Sequence, residues 1–112
     1  MDSTAQLAAK VKAVIEEYSQ LKPSHGDIRL DTVFDDKQHH YALMQIGWDR
    51  NRRIRGNLIY VTLHDEKIWI EYDGMENGIA SDLIAAGVES TQIVLASTPE
   101  SQLSPLHSRG AA

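Results

Sequence analysis

At 112 residues the chain is long enough to bury one hydrophobic core and too short for two domains of ordinary size. An apolar fraction of 42% with 24% charged residues excludes both a disordered polyelectrolyte and a membrane-embedded chain. A formal net charge of −5 excludes a broad basic nucleic-acid surface, and the absence of cysteine excludes disulfides, thiolate zinc sites and cysteine nucleophiles.

There is no apolar run of about 18 residues, and Met1-Asp2-Ser3-Thr4 lacks the basic start and apolar stretch of a signal peptide. The expectation is a cytoplasmic protein that makes no membrane contact. Along Thr4 to Leu21, the residues Leu7, Val11, Val14, Ile15, Tyr18 and Leu21 recur at helical spacing, with charged residues mostly opposite. Ser3 with Gln6 reads as a capping box, and Pro23 limits the helix at its far end.

After Gly26 the period changes to two. Ile28, Leu30 and Phe34 alternate with Arg29, Asp31 and Asp35, which predicts a strand. Asp35-Asp36-Lys37-Gln38 turns the chain into a second strand, His40 to Trp48, with Ala42, Met44, Ile46 and Trp48 on one face. A charged connection, Asp49 to Arg53, leads to a third strand ending at His64, apolar on both faces in its middle and therefore expected to be central. Asp65-Glu66 forms a tight turn into a fourth strand, Lys67 to Asp73, where Ile68, Ile70 and Tyr72 oppose Trp69 and Glu71.

Gly78 to Ala86 carries a short helical pattern closed by Gly87, a left-handed cap candidate. Ile93 to Ala96 reads either as a short fifth strand or as a buried extended segment. The pattern defines an α+β domain over residues 1–96, an antiparallel meander of about four strands with an N-terminal helix and a second short helix, followed by a polar, weakly ordered tail over 97–112.

No site with catalytic spacing emerges, and the expectation is a protein without enzymatic activity, cofactor or metal. His39, His40 and His64 with Asp35, Asp36 and Asp65 can be assembled on paper as metal ligands, but adjacent strand histidines face opposite ways and no HExxH spacing is present. Glu71, Asp73 and Glu76 fit turn formation and helix N-terminal electrostatics better than acid/base work. Neither a phosphate-binding glycine loop nor a GxSxG elbow is found. Arg50, Arg52, Arg53 and Arg55 form the one concentrated basic stretch, able to contact a partner's acids or, locally, DNA phosphates. Trp48, Trp69 and Tyr72 are sheet aromatics that suit a core or a subunit interface, and a homodimer is a reasonable expectation.

Several ordered segments carry a resemblance. They are Lys22-Pro23-Ser24-His25-Gly26-Asp27-Ile28, His40-Tyr41 with Gly47-Trp48-Asp49, Arg52-Arg53-Ile54-Arg55-Gly56 and Lys67-Ile68-Trp69-Ile70-Glu71-Tyr72-Asp73-Gly74. They continue through Gly78-Ile79-Ala80, Gly87-Val88 and Ile93-Val94-Leu95-Ala96. In this order the chain resembles the XisI family, excision-controlling factors of the fdxN element of cyanobacterial chromosomes. The resemblance implies a regulatory role in DNA recombination beside a companion XisH-like factor and a recombinase, and it brings no catalytic residues. The chain departs from the family pattern at Asp65-Glu66, where relatives tend to have Asn-Gly-like residues, and after Ala96, where they tend to continue in an aromatic and apolar ending. Two alternatives stay open: a small metal-dependent enzyme or nuclease using Asp35, His40 and Asp73, and a direct DNA-binding module using the stretch from Arg50 to Arg55.

Overall fold

The computed structural model describes residues 3–21 and 26–96. Helix α1 (Thr4–Ser19) opens with the expected capping box: the Ser3 hydroxyl accepts from the Gln6 amide, and the Gln6 side chain accepts from the Ser3 amide at 2.8 Å. Its buried stripe is Leu7, Ala8, Val11, Val14 and Ile15. The helix ends at Ser19; the stop signal at Pro23 and the tail over 97–112 lie outside the described residues.

The strands are β1 (Asp27–Asp35), β2 (His40–Asp49), β3 (Arg52–His64) and β4 (Lys67–Asp73), paired antiparallel in chain order. The chain then forms α2 (Ala80–Ala85) and a 3-10 turn over Ser90–Gln92, and returns as β5 (Ile93–Leu95), which lies parallel to β4. The segment left open between strand and extended chain is thus a strand, and the sheet has five members in the order β1-β2-β3-β4-β5. A parallel neighbour requires a crossover, and α2 with the 3-10 turn supplies it.

Helix α1 and Leu83 of α2 pack on one face of this sheet, against Tyr41 and Leu43 of β2, Ile59 and Val61 of β3, Ile68 and Ile70 of β4 and Ile93 of β5. β3 is central, as its two-sided apolar middle predicts. Tyr41 is fully buried and is the aromatic of this core, a place the sequence pattern had offered to Trp48, Trp69 and Tyr72.

Two irregularities redirect side chains. Pairing shifts between Leu43 and Met44, leaving Leu58 as an extra residue in β3, and shifts again between Tyr60 and Val61, leaving Glu71 extra in β4. Because Thr62 pairs with Trp69 and Tyr60 with Tyr72, the second bulge puts Tyr72 on the face of Trp69. Strict alternation had placed it with Ile68 and Ile70, and the extra residue is the physical reason for the difference.

Candidate interaction surface

The helices cover one sheet face and leave the other without a packed layer among the described residues. Side chains on that open face follow from the register, since directly paired residues share a face. Asp27, Trp48 and Arg53 form one rung across β1, β2 and β3; Arg29, Ile46 and Arg55 form the next; Asp31, Met44 and Asn57 form a third. Further along lie Val33, Ala42, Tyr60 and Tyr72, and then His40, Thr62, Trp69 and Val94.

The aromatic residues picked from the sequence therefore gather on this face. Trp48 is 51% exposed and Tyr72 50% exposed, with Val33 at 53% on the β1 edge. Trp69 is half-buried, donating its indole Nε1 to the His64 carbonyl at 3.0 Å, with Val94 buried alongside it in β5. The Arg53 guanidinium stands 5.3 Å from the centre of the Trp48 ring and donates to the Gly47 carbonyl at 3.5 Å. That arrangement is a cation–π contact between a planar cation and the best aromatic acceptor. Asp27, Arg29, Ile46, Gly47, Trp48 and Arg53 line a shallow hollow of about 280 Å³.

The arginines do not form a single loop. Only Arg50 lies in the turn, where Arg50 and Asn51 both have positive φ, 51° and 66°, while Arg52, Arg53 and Arg55 belong to β3. Alternation sends Arg53 and Arg55 to the open face and Arg52, paired with Asp49, to the other. All four are exposed.

The residues considered as metal ligands are not brought together. His40 Nδ1 shares a 2.6 Å hydrogen bond with the Tyr60 hydroxyl, His39 sits in the β1–β2 turn at φ 61°, and His64 Nε2 lies 3.2 Å from Asp65. Asp73 is separated from the paired Asp35 and His40 by the intervening strands. Among the described residues no three His, Asp or Glu side chains are grouped to hold a metal ion. Asp73 instead accepts from the Met75 amide at 3.1 Å and the Ile79 amide at 2.7 Å, fixing the turn into α2 as its position at the end of β4 suggests. Asp35 does the same for the β1–β2 turn, accepting from the amides of Lys37 and Gln38 at 3.0 Å.

Two tyrosine–carboxylate contacts were missed in the sequence. Tyr41 donates to Asp36 at 2.8 Å, and Lys12 reaches the same carboxylate at 2.9 Å. The Lys12 ammonium, followed by the Tyr41 hydroxyl, holds the Asp36 carboxyl below the usual range. Burial, followed by the bond to Asp36, pushes the Tyr41 phenol up. A hollow of about 530 Å³ opens beside them, where His39 Nδ1 is buried without a hydrogen-bond partner. On the far end of α1, Tyr18 donates to Asp82 of α2. No local sequence signal points to partners this distant in the chain.

Fold and surface together define a small α+β protein that gathers Trp48, Trp69, Tyr72, Arg53 and Arg55 on an open sheet face rather than in a cleft. The chain belongs to the XisI family: the family model described as XisI protein matches residues 1–104. It is similar to the crystal structure of a XisI-like protein from Anabaena variabilis ATCC 29413, with 25% identity, 89% of this chain and 92% of the other covered, and a TM-score of 0.82. It is also similar to the fdxN element excision controlling factor XisI from the same organism, at 25% identity, 89% and 98% coverage and a TM-score of 0.70. Comparison with curated proteins gives no match. No helix among the described residues is long and apolar enough to cross a membrane.

Proposed function

We propose that this protein is a non-enzymatic accessory factor that controls the site-specific excision of a DNA element, working beside an XisH-like companion and a recombinase that performs strand exchange. The observation that carries this reading is the family match over residues 1–104, together with a solved relative that is named an fdxN element excision controlling factor. The surface chemistry agrees with a role through contact. Exposed Trp48 and Tyr72 and the arginines of β3 are side-chain types that dominate protein interfaces.

The test is an excision assay in cells carrying the recombinase and a reporter element, with and without this chain, alongside co-purification with the neighbouring gene's product. Excision frequency is expected to change when the chain is removed while recombinase abundance stays constant. An unchanged frequency would sink the reading.

Local DNA contact is a second reading, favoured by four exposed arginines at or next to one hairpin end of an acidic protein. Phosphate contact makes binding salt-dependent by counterion release, so reversing Arg50 and Arg52 should weaken a gel shift and lower its salt slope by about 2. A shift indifferent to both changes rejects this reading.

A further inference from the structure

The open sheet face has a charge pattern that matches itself. On this face the β1 edge carries Asp27, Asp31 and Asp35, whereas β3 carries Arg53 and Arg55, and the apolar Met44, Ile46 and Trp48 of β2 run between them. Neighbouring strands lie about 4.8 Å apart, so the acid row and the arginine row flank β2 at equal distances.

A two-fold axis lying in the plane above the sheet can run along β2 or across it. Across the strands it would set β1 over β1 and oppose acid to acid. Along β2 it exchanges β1 with β3 and keeps each rung level, so that Asp27 of one copy meets Arg53 of the other over a strip formed by the two β2 strands. Arg29 then faces Arg55, but its Nε is already held by Asp31 at 3.0 Å, which offsets its charge within the chain. Asp31 meets Asn57, which can donate to it.

The geometry points to a homodimer in which the open faces of two copies pack together about an axis along β2. Face-to-face sheets pack about 10 Å apart with strand directions within about 30° of each other, as a two-fold of this kind permits. With the axis along β2 it is β1, β2 and β3 of the two copies that oppose one another, and three strands about 4.8 Å apart along roughly eight residues give a flat area of about 400 Å². Relief from Trp48, Met44 and the arginine side chains adds to this, giving a contact smaller than the ~800 Å² per partner of a standard interface. Trp48 sits in the charged rung nearest the hairpin end, with Arg53 on its ring, and its exposed surface is what the second copy covers.

The experiment is sedimentation equilibrium of the full chain, which is independent of any excision readout. A mass twice the 12.5 kDa of one chain is expected at concentrations of about 10 µM and above. Trp48→Glu, at an exposed position where far-ultraviolet circular dichroism checks the fold, should weaken association by ~30-fold or more. Asp27→Arg and Arg53→Asp, each exposed, should weaken it by ~10-fold singly, and the two combined should recover most of that loss because each new charge meets its opposite across the axis. A chain that stays monomeric at about 100 µM would overturn the proposal. So would a dimer indifferent to these changes, or a combined charge exchange no better than its parts. If Trp48→Glu does not fold, the charge exchange decides alone.

Discussion

Two carboxylates tie α1 to the rest of the fold. At mid-helix Lys12 reaches Asp36, which the buried Tyr41 also engages from β2; near the helix's finish, Tyr18 donates to Asp82. The bond to Asp82, followed by burial, raises the Tyr18 phenol to about 12 from an ordinary value of 10.0. A folded-state value above the unfolded one means that the protonated phenol stabilises the fold fully below pH 10.0 and loses this contribution as pH rises through about 12. Tyr18→Phe should therefore cost about 1 kcal/mol at pH 7 and flatten part of the alkaline loss of stability, the remainder belonging to Tyr41. Urea unfolding at several pH values checks this; parallel curves for the two proteins would show that the contact contributes nothing. Asp36 works in the opposite direction: its lowered carboxyl stabilises the fold above the ordinary value of 3.8 and loses this contribution as pH falls below it. At this scale the sequence was only partly legible. The turn role of Asp73 followed from its place at the end of a strand, but Tyr18 and Asp82 are 64 residues apart and meet only because two helices lie on one sheet.

The two-residue turns at Arg50-Asn51 and Asp65-Glu66 show how the chain handles a demanding backbone with ordinary residues. At Asp65 and Glu66 φ is 54° and 57°, the left-handed conformation at both central positions of a two-residue turn that suits the sheet's twist. A side chain there costs roughly 1–2 kcal/mol per residue, less for Asp than for Glu. Gln92, fully buried, donates its Nε2 to the Glu66 carbonyl at 3.1 Å and helps hold the turn from the 3-10 segment. Replacing the pair by Asp65→Asn and Glu66→Gly keeps that carbonyl and removes strain, so stability should rise by about 1 kcal/mol, read as a higher urea midpoint with an unchanged slope. A lower midpoint would mean that side-chain contacts such as His64 with Asp65, 3.2 Å apart, outweigh the strain. Gly47 imposes the converse constraint. A Cβ there would lie 2.0 Å from the Asp27 carbonyl, so β1 and β2 approach as closely as they do because no side chain intervenes. Strands, helices and turns were legible here because period, capping and turn chemistry are local. The bulges were not, since an extra residue is defined by its partner strand, and the bulge at Glu71 is what moved Tyr72 to the open face.

At the scale of the molecule, the described residues form one core, between the two helices and one face of the sheet, and it is the seat of cooperativity. Leu7, fully buried in α1, is part of that cluster. Leu7→Ala should cost about 2–5 kcal/mol, a large share of the 5–15 kcal/mol typical of a domain this size. Thermal unfolding followed by tryptophan fluorescence and by far-ultraviolet circular dichroism should shift together by the same interval. Separate transitions would mean that α1 and the sheet melt as independent units.

The sequence by itself determined the α+β class, both helices, the meander, the central place of β3 and the resemblance to XisI proteins, because alternation, capping and turn residues are written over short spans. It left the last strand undecided, since three apolar residues of β5 take their identity from β4 beside them. Only the tertiary structure decided which side of the sheet is buried. Along β2, Tyr41 and Leu43 fall on one face and the longer apolar set Ala42-Met44-Ile46-Trp48 on the other, and it is the packing of α1 and α2 that makes the first face the core and leaves the second face open. A strand's period assigns residues to two faces; the layer that lands on one of them determines which face is left open for contact.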